Sequence, residues 1–309
     1  MAKYIKKVFL FFMLAAIIDV VCGYGFKYLT SNAKGGDSQK NYYISEECCD
    51  DLLVFGSSRA VRHYDPRVLE DSLGLSCYNC GEQGCGIITS YARYRLIEQR
   101  HKPKLVIYEV TPNFDYFKTE DYSKYLGRIR QYSNNPSIKD IFIELGDELE
   151  RVRLFSSMYR NNSFLVNNVL DNLTNERFEK GFKPLKGVLK SQQKPQKQSI
   201  KEMDSLKFSY VEKLIVELQK DNIPVCFYVS PRCIDSIMAS EEETLYEPIV
   251  KLCGKYNVPF INHDYLDGIS QNQQLFQDFG HLNKEGARIF TQIVSAEVKQ
   301  YLPDLSYHK

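Results

Sequence analysis

Residues 51–59 read Asp-Leu-Leu-Val-Phe-Gly-Ser-Ser-Arg: four apolar residues in a row, a glycine, two hydroxyls and a guanidinium. An apolar run of this length that stops at a turn residue is the mark of a strand buried on both faces, as in a parallel sheet. Segments 104–110, 223–229 and 258–262 have the same character, and 75–79 is a weaker version that ends in a glycine-rich turn. Between and after them lie stretches of helical spacing at 66–73, 87–100, 205–221, 241–256 and 284–301. Strands alternating with helices predict an α/β fold in three layers, α/β/α, around a flavodoxin-like parallel sheet of five strands. Right-handed crossovers then bring the carboxyl ends of all the strands to one edge, where such folds carry their sites.

Residues 115–204 interrupt the alternation. The stretch is polar and rich in Asn and Lys, with helical patches near 138–158 and 163–180 and a low-complexity end at 190–198. It reads as an insertion beside the sheet edge, a lid or platform on one view and a passive surface excursion on the other. No long apolar face is expected in it.

At the amino end Lys3, Lys6 and Lys7 precede an apolar run at 8–26, interrupted by Asp19. As a helix this run spans roughly 28 Å, close to the hydrocarbon thickness of a bilayer. A cleaved signal peptide and a buried amphipathic helix are the competing readings. The absence of a convincing small-x-small site after the run, and the lysines before it, favour an uncleaved signal anchor with its amino end in the cytoplasm. The expected plan is therefore an anchor at 1–29, a tether at 30–49 and an extracytoplasmic domain at 50–309, on the periplasmic side of a bacterial inner membrane.

The 309 residues carry 40 Lys and Arg against 39 Asp and Glu, with 43% apolar and 26% charged residues. That balance excludes a disordered, collagen-like or polytopic membrane protein, and it offers no basic excess for nucleic acid. Cys77 and Cys80 have the two-residue gap of a metal or redox site, but no second pair of matching spacing follows. Neither metal nor other cofactor is expected.

The residues that follow the strands can do chemistry together. Ser58, after a strand-ending glycine and at the start of a helix, would present an exposed hydroxyl and a backbone N–H for an oxyanion. A backbone N–H from a second glycine and a side-chain amide would complete a donor set. His281 would take the serine proton, and Asp278, three residues before it, would orient the imidazole. Arg59 and Arg232 fall at the same edge and read as contacts for an anionic or sugar-rich substrate, or equally as structural ion pairs. His63, His101, His263 and His308 show no partner pattern.

These blocks resemble the SGNH hydrolases, also called GDSL esterase/lipases. Phe55-Gly56-Ser57-Ser58-Arg59 is similar to the first block, with Ser58 at the nucleophile and Ser57 replacing the usual Asp. The stretch 79–84 is similar to the second, with Gly84 at the oxyanion glycine. In the third, Gly-x-Asn-Asp, only Asn113 is kept, in Thr111-Pro112-Asn113-Phe114; the final Asp-x-x-His block is intact in Asp278 and His281. The resemblance covers about 50–114 and 222–301. It implies a serine-dependent esterase or O-acyltransferase, with Ser58, His281 and Asp278 catalytic and with Ser58, Gly84 and Asn113 as the oxyanion hole. With the anchor, it is similar to membrane-bound envelope members such as the alginate acetylation and D-alanyl transfer proteins. An acylated small molecule or envelope glycan is then the expected substrate, and polysaccharide machinery the expected partner. The altered third block keeps a second reading open: a non-catalytic domain that binds glycan or a partner.

Overall fold

The computed structural model describes residues 1–118, 122–173, 178–190, 202–238 and 245–301. The low-complexity stretch after 190, the start of the helix expected at 241, and His308 lie outside the described residues. From the amino end, α1 (Ala2–Ser31) and α2 (Gly36–Tyr42) precede β1 (Leu52–Gly56), α3 (Ser58–His63), α4 (Pro66–Leu73), β2 (Cys77–Asn79) and α5 (Ile87–Ile97). Next come β3 (Leu105–Glu109), α6 (Pro112–Asp115), and the short helices α7 (Ser123–Ile129), α8 (Lys139–Leu145), α9 (Glu148–Arg153), α10 (Ser157–Asn161) and α11 (Leu165–Leu173). The alternation resumes with α12 (Ser205–Lys220), β4 (Val225–Val229), α13 (Ile234–Met238), α14 (Glu247–Lys255) and β5 (Phe260–Asn262), and closes with β6 (Phe276–Asp278), β7 (His281–Leu282) and α15 (Lys284–Tyr301). Two compact units result: Met1–Glu47 with Asp121–Phe178, and Cys48–Glu120 with Glu179–Lys309.

The second unit is the sheet domain. Its strands run in the order β2-β1-β3-β4-β5, and every neighbouring pair is parallel. This is the flavodoxin-like order, which places a crevice at the carboxyl ends of β1 and β3, where the strand order reverses. Leu52, Val54, Leu105 and Ile107 share one face and pack with Leu69, Phe290 and Val294 of α4 and α15. The alternate residues Leu53, Phe55, Val106 and Tyr108 are equally buried and point to the opposite face, because side chains alternate along a strand. On that side lie α5 and α12, whose Tyr91 and Tyr210 rings are 5.3 Å apart. Burial of each large apolar side chain contributes about 1.5–3 kcal/mol.

Local chemistry sets the element ends. At α4, Asp65 accepts the Arg67 N–H, Pro66 takes the first helical position, and Gly74 at φ 69° ends the helix. Part of the sequence-defined insertion belongs to this unit too. Asn79 N–H donates to Lys180 O (2.9 Å), Lys183 N–H to Val61 O (3.1 Å) and Leu189 N–H to Phe276 O (2.7 Å). Gly181 sits at φ +80°, where a Cβ would meet Asn79 O at 2.1 Å, so only glycine fits that approach.

The first unit is built differently. Its α1 has a mean hydropathy of 2.2 over its apolar window and is long enough to cross a membrane. Leu126, Ile129, Ile141 and Phe142 of α7 and α8 make an apolar centre. The seam between α1, α2 and α11 is instead polar. Asn168 Nδ2 donates to Thr30 Oγ1 (2.8 Å), Asn172 Nδ2 to Leu29 O (3.0 Å), and the Ser38 hydroxyl to Asp171 Oδ2 (2.7 Å). Consequently α11 turns Val166, Val169, Leu170 and Leu173 outward, with Val166 70% and Leu173 78% exposed. In α9 the carboxylate of Glu150 is buried on Arg130 (2.9 Å) and Tyr159 (2.5 Å), while Leu149 and Val152 are exposed. The insertion therefore does carry an apolar face, contrary to the reading from sequence. That reading took the stretch as polar throughout, whereas the fold buries Asn161 and Asn168 and leaves the apolar residues of α11 outside.

Candidate active site

Three strand ends and the β6–β7 turn converge at the carboxyl edge of the sheet. Gly56, the last residue of β1, has φ +133°, and a Cβ there would meet Glu109 O of β3 at 2.5 Å. The glycine lets the chain turn sharply out of the sheet, so that Ser58 becomes the first residue of α3. Ser57 hydrogen-bonds Thr111 Oγ1 (2.8 Å), tying the β1 turn to the β3 turn. On the other side Asn79 Nδ2 donates to Ala60 O (2.7 Å) and Tyr64 O (3.0 Å), bracing α3.

The β6–β7 turn carries the other two groups. Asp278 Oδ1 accepts the Gly280 N–H at 2.8 Å, which tightens the turn and folds the carboxylate back under the imidazole. Asp278 lies 2.9 and 3.0 Å from His281 Nδ1, and His281 Nε2 lies 2.9 Å from Ser58 Oγ. Burial works to raise the Asp278 carboxyl, but the His281 contact and the N–H groups of Gly280 and His281 outweigh it and hold it below its ordinary value. A charged carboxylate on Nδ1 keeps the proton there and leaves Nε2 as the acceptor facing the serine.

A cavity of about 180 Å³ opens at Ser58 and His281, walled by Thr111, Pro112, Asn113, Phe114, Leu245 and Tyr246, with Arg59, Arg232 and Gly280 completing the lining. Asn113, expected as an oxyanion donor, thus faces the same space as the serine. Gly84, at φ +70°, is partly exposed on its turn and is not among the lining residues. The third block is stabilised by a residue that the sequence pattern passed over. Asp115, one place beyond the expected position, accepts the Thr111 N–H (2.5 Å) and the Tyr108 hydroxyl (2.6 Å). Burial pushes its carboxyl up to about 7 against those hydrogen bonds.

Both arginines reach the cavity wall with their charge already matched. Arg59 Nε pairs with Glu109 (3.1 Å), while its Nη1 and Nη2 donate to Ser230 O (3.2 Å) and Val110 O (2.7 Å). Arg232 Nε and Nη2 grip the two Asp264 oxygens at 2.5 Å each. Each arginine thus has a carboxylate partner while it also lines the cavity.

Behind the serine and histidine runs a second line of groups that sequence reasoning missed. His63, read as having no partner, is fully buried. Its Nε2 accepts the Leu282 N–H at 3.0 Å, and its Nδ1 lies 2.7 Å from Ser230 Oγ. Because an N–H points at Nε2, the proton is on Nδ1 and is donated to Ser230, whose hydroxyl in turn donates to Glu109 Oε1 (2.7 Å). Glu109 also accepts the Tyr64 hydroxyl (2.5 Å). Burial first, and then the charges of His281, Arg59 and Arg62, push the His63 imidazole well below its ordinary value, so it stays neutral. Glu109–Ser230–His63 thus ends on the backbone of the residue next to His281, whose ring stands edge-on to His63 with centroids 6.0 Å apart. His263, also read without a partner, pairs with Glu297 (2.8 Å). Cys77 and Cys80 are buried free thiols. Among the described residues no group of three or more His, Cys, Asp or Glu is arranged to hold a metal.

A hydroxyl, an imidazole and a carboxylate in series beside a small cavity at a strand-order reversal have the geometry needed for nucleophilic acyl transfer. No protein-family model matches the chain, and no curated protein sequence does. Among solved structures it is similar to a protein described as lipolytic, of the G-D-S-L family, from Desulfitobacterium hafniense DCB-2, at 11% identity and TM-score 0.39, over 80% of this chain and 98% of that one. A protein described as an acylhydrolase, from Bacteroides fragilis NCTC 9343, matches at 11% identity and TM-score 0.42, over 86% and 97%. One described as platelet activating factor, from Streptococcus pneumonia, matches at 13% identity and TM-score 0.42, over 94% and 98%. These are distant likenesses, and the case for the site rests on the side-chain geometry above.

Proposed function

We propose that this chain is a serine-dependent esterase or O-acyltransferase for short acyl esters. The observation that carries the reading is the unbroken series Ser58–His281–Asp278, with contacts of 2.9 Å at each link. Ser58 Oγ attacks the ester carbonyl as its proton passes to His281 Nε2. Negative charge on the carbonyl oxygen meets N–H donors from Ser58 and Asn113, which face the same cavity. Collapse of the tetrahedral species returns the proton from His281 to the departing alcohol and leaves an acyl-serine. Water, or a sugar hydroxyl deprotonated by the same imidazole, then releases the acyl group.

Cavity size supports a small acyl group. About 180 Å³ is near the volume that holds one benzene, and it falls below the roughly 300–1,000 Å³ of drug-sized sites. The long apolar amino-terminal helix supports action at the outer face of a membrane, on O-acyl esters of envelope glycans, within polysaccharide machinery. A non-catalytic glycan-binding role would not require the serine and imidazole to lie in contact. Labelling of the full chain with a fluorophosphonate, followed by peptide mapping, tests the reading. Modification of Ser58 that disappears in Ser58→Ala is the expected result; an unlabelled, folded protein that also fails to cleave acetyl esters would overturn it.

A further inference from the structure

Helix α11 is polar where it meets α1 and α2 and apolar on its outer face, the reverse of a helix in a water-soluble layer. We propose that α11 lies at the outer interface of the membrane beside α1 with its apolar face turned into the acyl chains, and that α1 stays attached as part of one lipid-bound module. The argument starts with Asp19. Lys7 and Asp19 are twelve residues apart, about 18 Å along a helix, against about 30 Å of hydrocarbon. With the lysines at the cytoplasmic interface, the Asp19 carboxylate falls within the far half of the bilayer, where an unpaired charge is costly. It is not unpaired: the Ser156 hydroxyl donates to it, as do the N–H groups of Ser157 (2.7 Å) and Met158 (3.1 Å) at the start of α10.

Gly23, one turn further on, allows this approach, since a Cβ there would meet Ser157 Oγ at 2.1 Å. Further along, Leu29 and Thr30 receive Asn172 and Asn168 of α11. The polar sides of α10 and α11 are therefore satisfied by α1 itself, α10 at the depth of the far leaflet and α11 at its outer interface, about 34 Å along the helix from Lys7. Whatever surrounds them there must suit an apolar outer face, and α11 presents one at helical spacing, joined by Phe155 after α9, which is 87% exposed. The occupant that is continuous with the surroundings of α1 is acyl chain. Cleavage after α1 would strip these asparagines, and Ser156, of their partners, which a removable signal peptide would not require.

The absence of tryptophan makes the test direct. Full-length Leu170→Trp and Phe155→Trp would be purified, checked for intact mass, and reconstituted in phosphatidylcholine–phosphatidylglycerol vesicles with and without brominated acyl chains. Phe12→Trp in α1 sets the lipid end of the scale, and Tyr265→Trp, shown by iodide quenching to be in water, sets the other. The expected result is blue-shifted emission, shielding from iodide and bromolipid quenching several-fold above that of Tyr265→Trp. Iodide-accessible, unquenched Leu170→Trp would overturn the proposal. So would a signal shielded from iodide but untouched by bromolipid, which would mean that a second copy of the chain covers the face; where the two sites differ, Leu170 decides. Loss of α1 from the intact mass would overturn the retention of the anchor. None of these outcomes depends on whether Ser58 is a nucleophile.

Discussion

In β1 every side chain from Leu52 to Phe55 is fully buried, whereas in α11 it is Asn168 that is buried while Leu170 and Leu173 stand outside. Both segments carry leucine and valine, and what differs for those residues is what each element packs against. The strand lies between two helical layers and gains from removing apolar surface from water. The helix lies against backbone carbonyls and hydroxyls of α1 and α2, which demand hydrogen-bond partners once covered. Burial is therefore decided by the neighbour, and the same asparagine that marks a surface loop in one region is a structural residue in another.

The comparison can be broken by substitution. The largest effect is expected at the site that the sheet supports: Ser58→Ala should lower ester turnover by at least about 10⁴-fold while leaving circular dichroism and the unfolding midpoint unchanged. A loss of only a few-fold would remove the serine from the mechanism. Next is the buried pair at the end of β3. Glu109→Ala leaves Arg59 buried and unpaired and should cost about 3–5 kcal/mol of stability, read by urea unfolding; a cost under about 1 kcal/mol would show that the pair is solvated.

Between the two regions, matched deletions should diverge. Leu53→Ala is expected to cost about 2–5 kcal/mol, but Leu170→Ala in detergent only about 0.5 kcal/mol or less. Asn168→Leu, apolar for polar, should destabilise the first unit by about 1–3 kcal/mol, because Thr30 loses its donor. A stabilising result there would refute the inverted interior. The smallest effect concerns pH. His63 is neutral when folded, since its imidazole is held well below 6.5; below that pH the unfolded chain binds a proton that the folded chain does not. Stability is thus present above pH 6.5 and lost as the pH falls, by at most about 1.4 kcal/mol per pH unit. Thermal melts of His63→Gln should show a shallower acid slope, and equal slopes would mean that His63 protonates in place.

Much of the sheet domain was legible because its signals are local. Five apolar runs announce five strands, α4 and α15 begin and end where their spacing says, and Asp278 and His281 share one tight turn. The observed strands start one or two residues inside the predicted runs, since the first residues of each run still lie in the connecting loops. Contacts between distant segments were not legible. His63 finds Ser230 and Leu282, 167 and 219 residues away, and Glu109 hides in a run that reads only as strand. Arg59 looked available to a ligand until β3 and the turn after β4 supplied acceptors for all three of its guanidinium nitrogens.

By itself the sequence determined the strand–helix alternation, the apolar amino-terminal helix and the residues able to do acyl chemistry, because apolar runs, glycine turns and a three-residue Asp–His spacing act over a few residues of chain. Only the tertiary structure decided that Ser58 and His281 stand 2.9 Å apart, that a buried Glu109–Ser230–His63 line backs them, and that α11 turns Asn168 inward and Val166, Val169, Leu170 and Leu173 outward. Those outcomes depend on which polar groups are brought together and shut away from water, and hydrogen bonds formed across a hundred or more residues leave no periodicity in the chain.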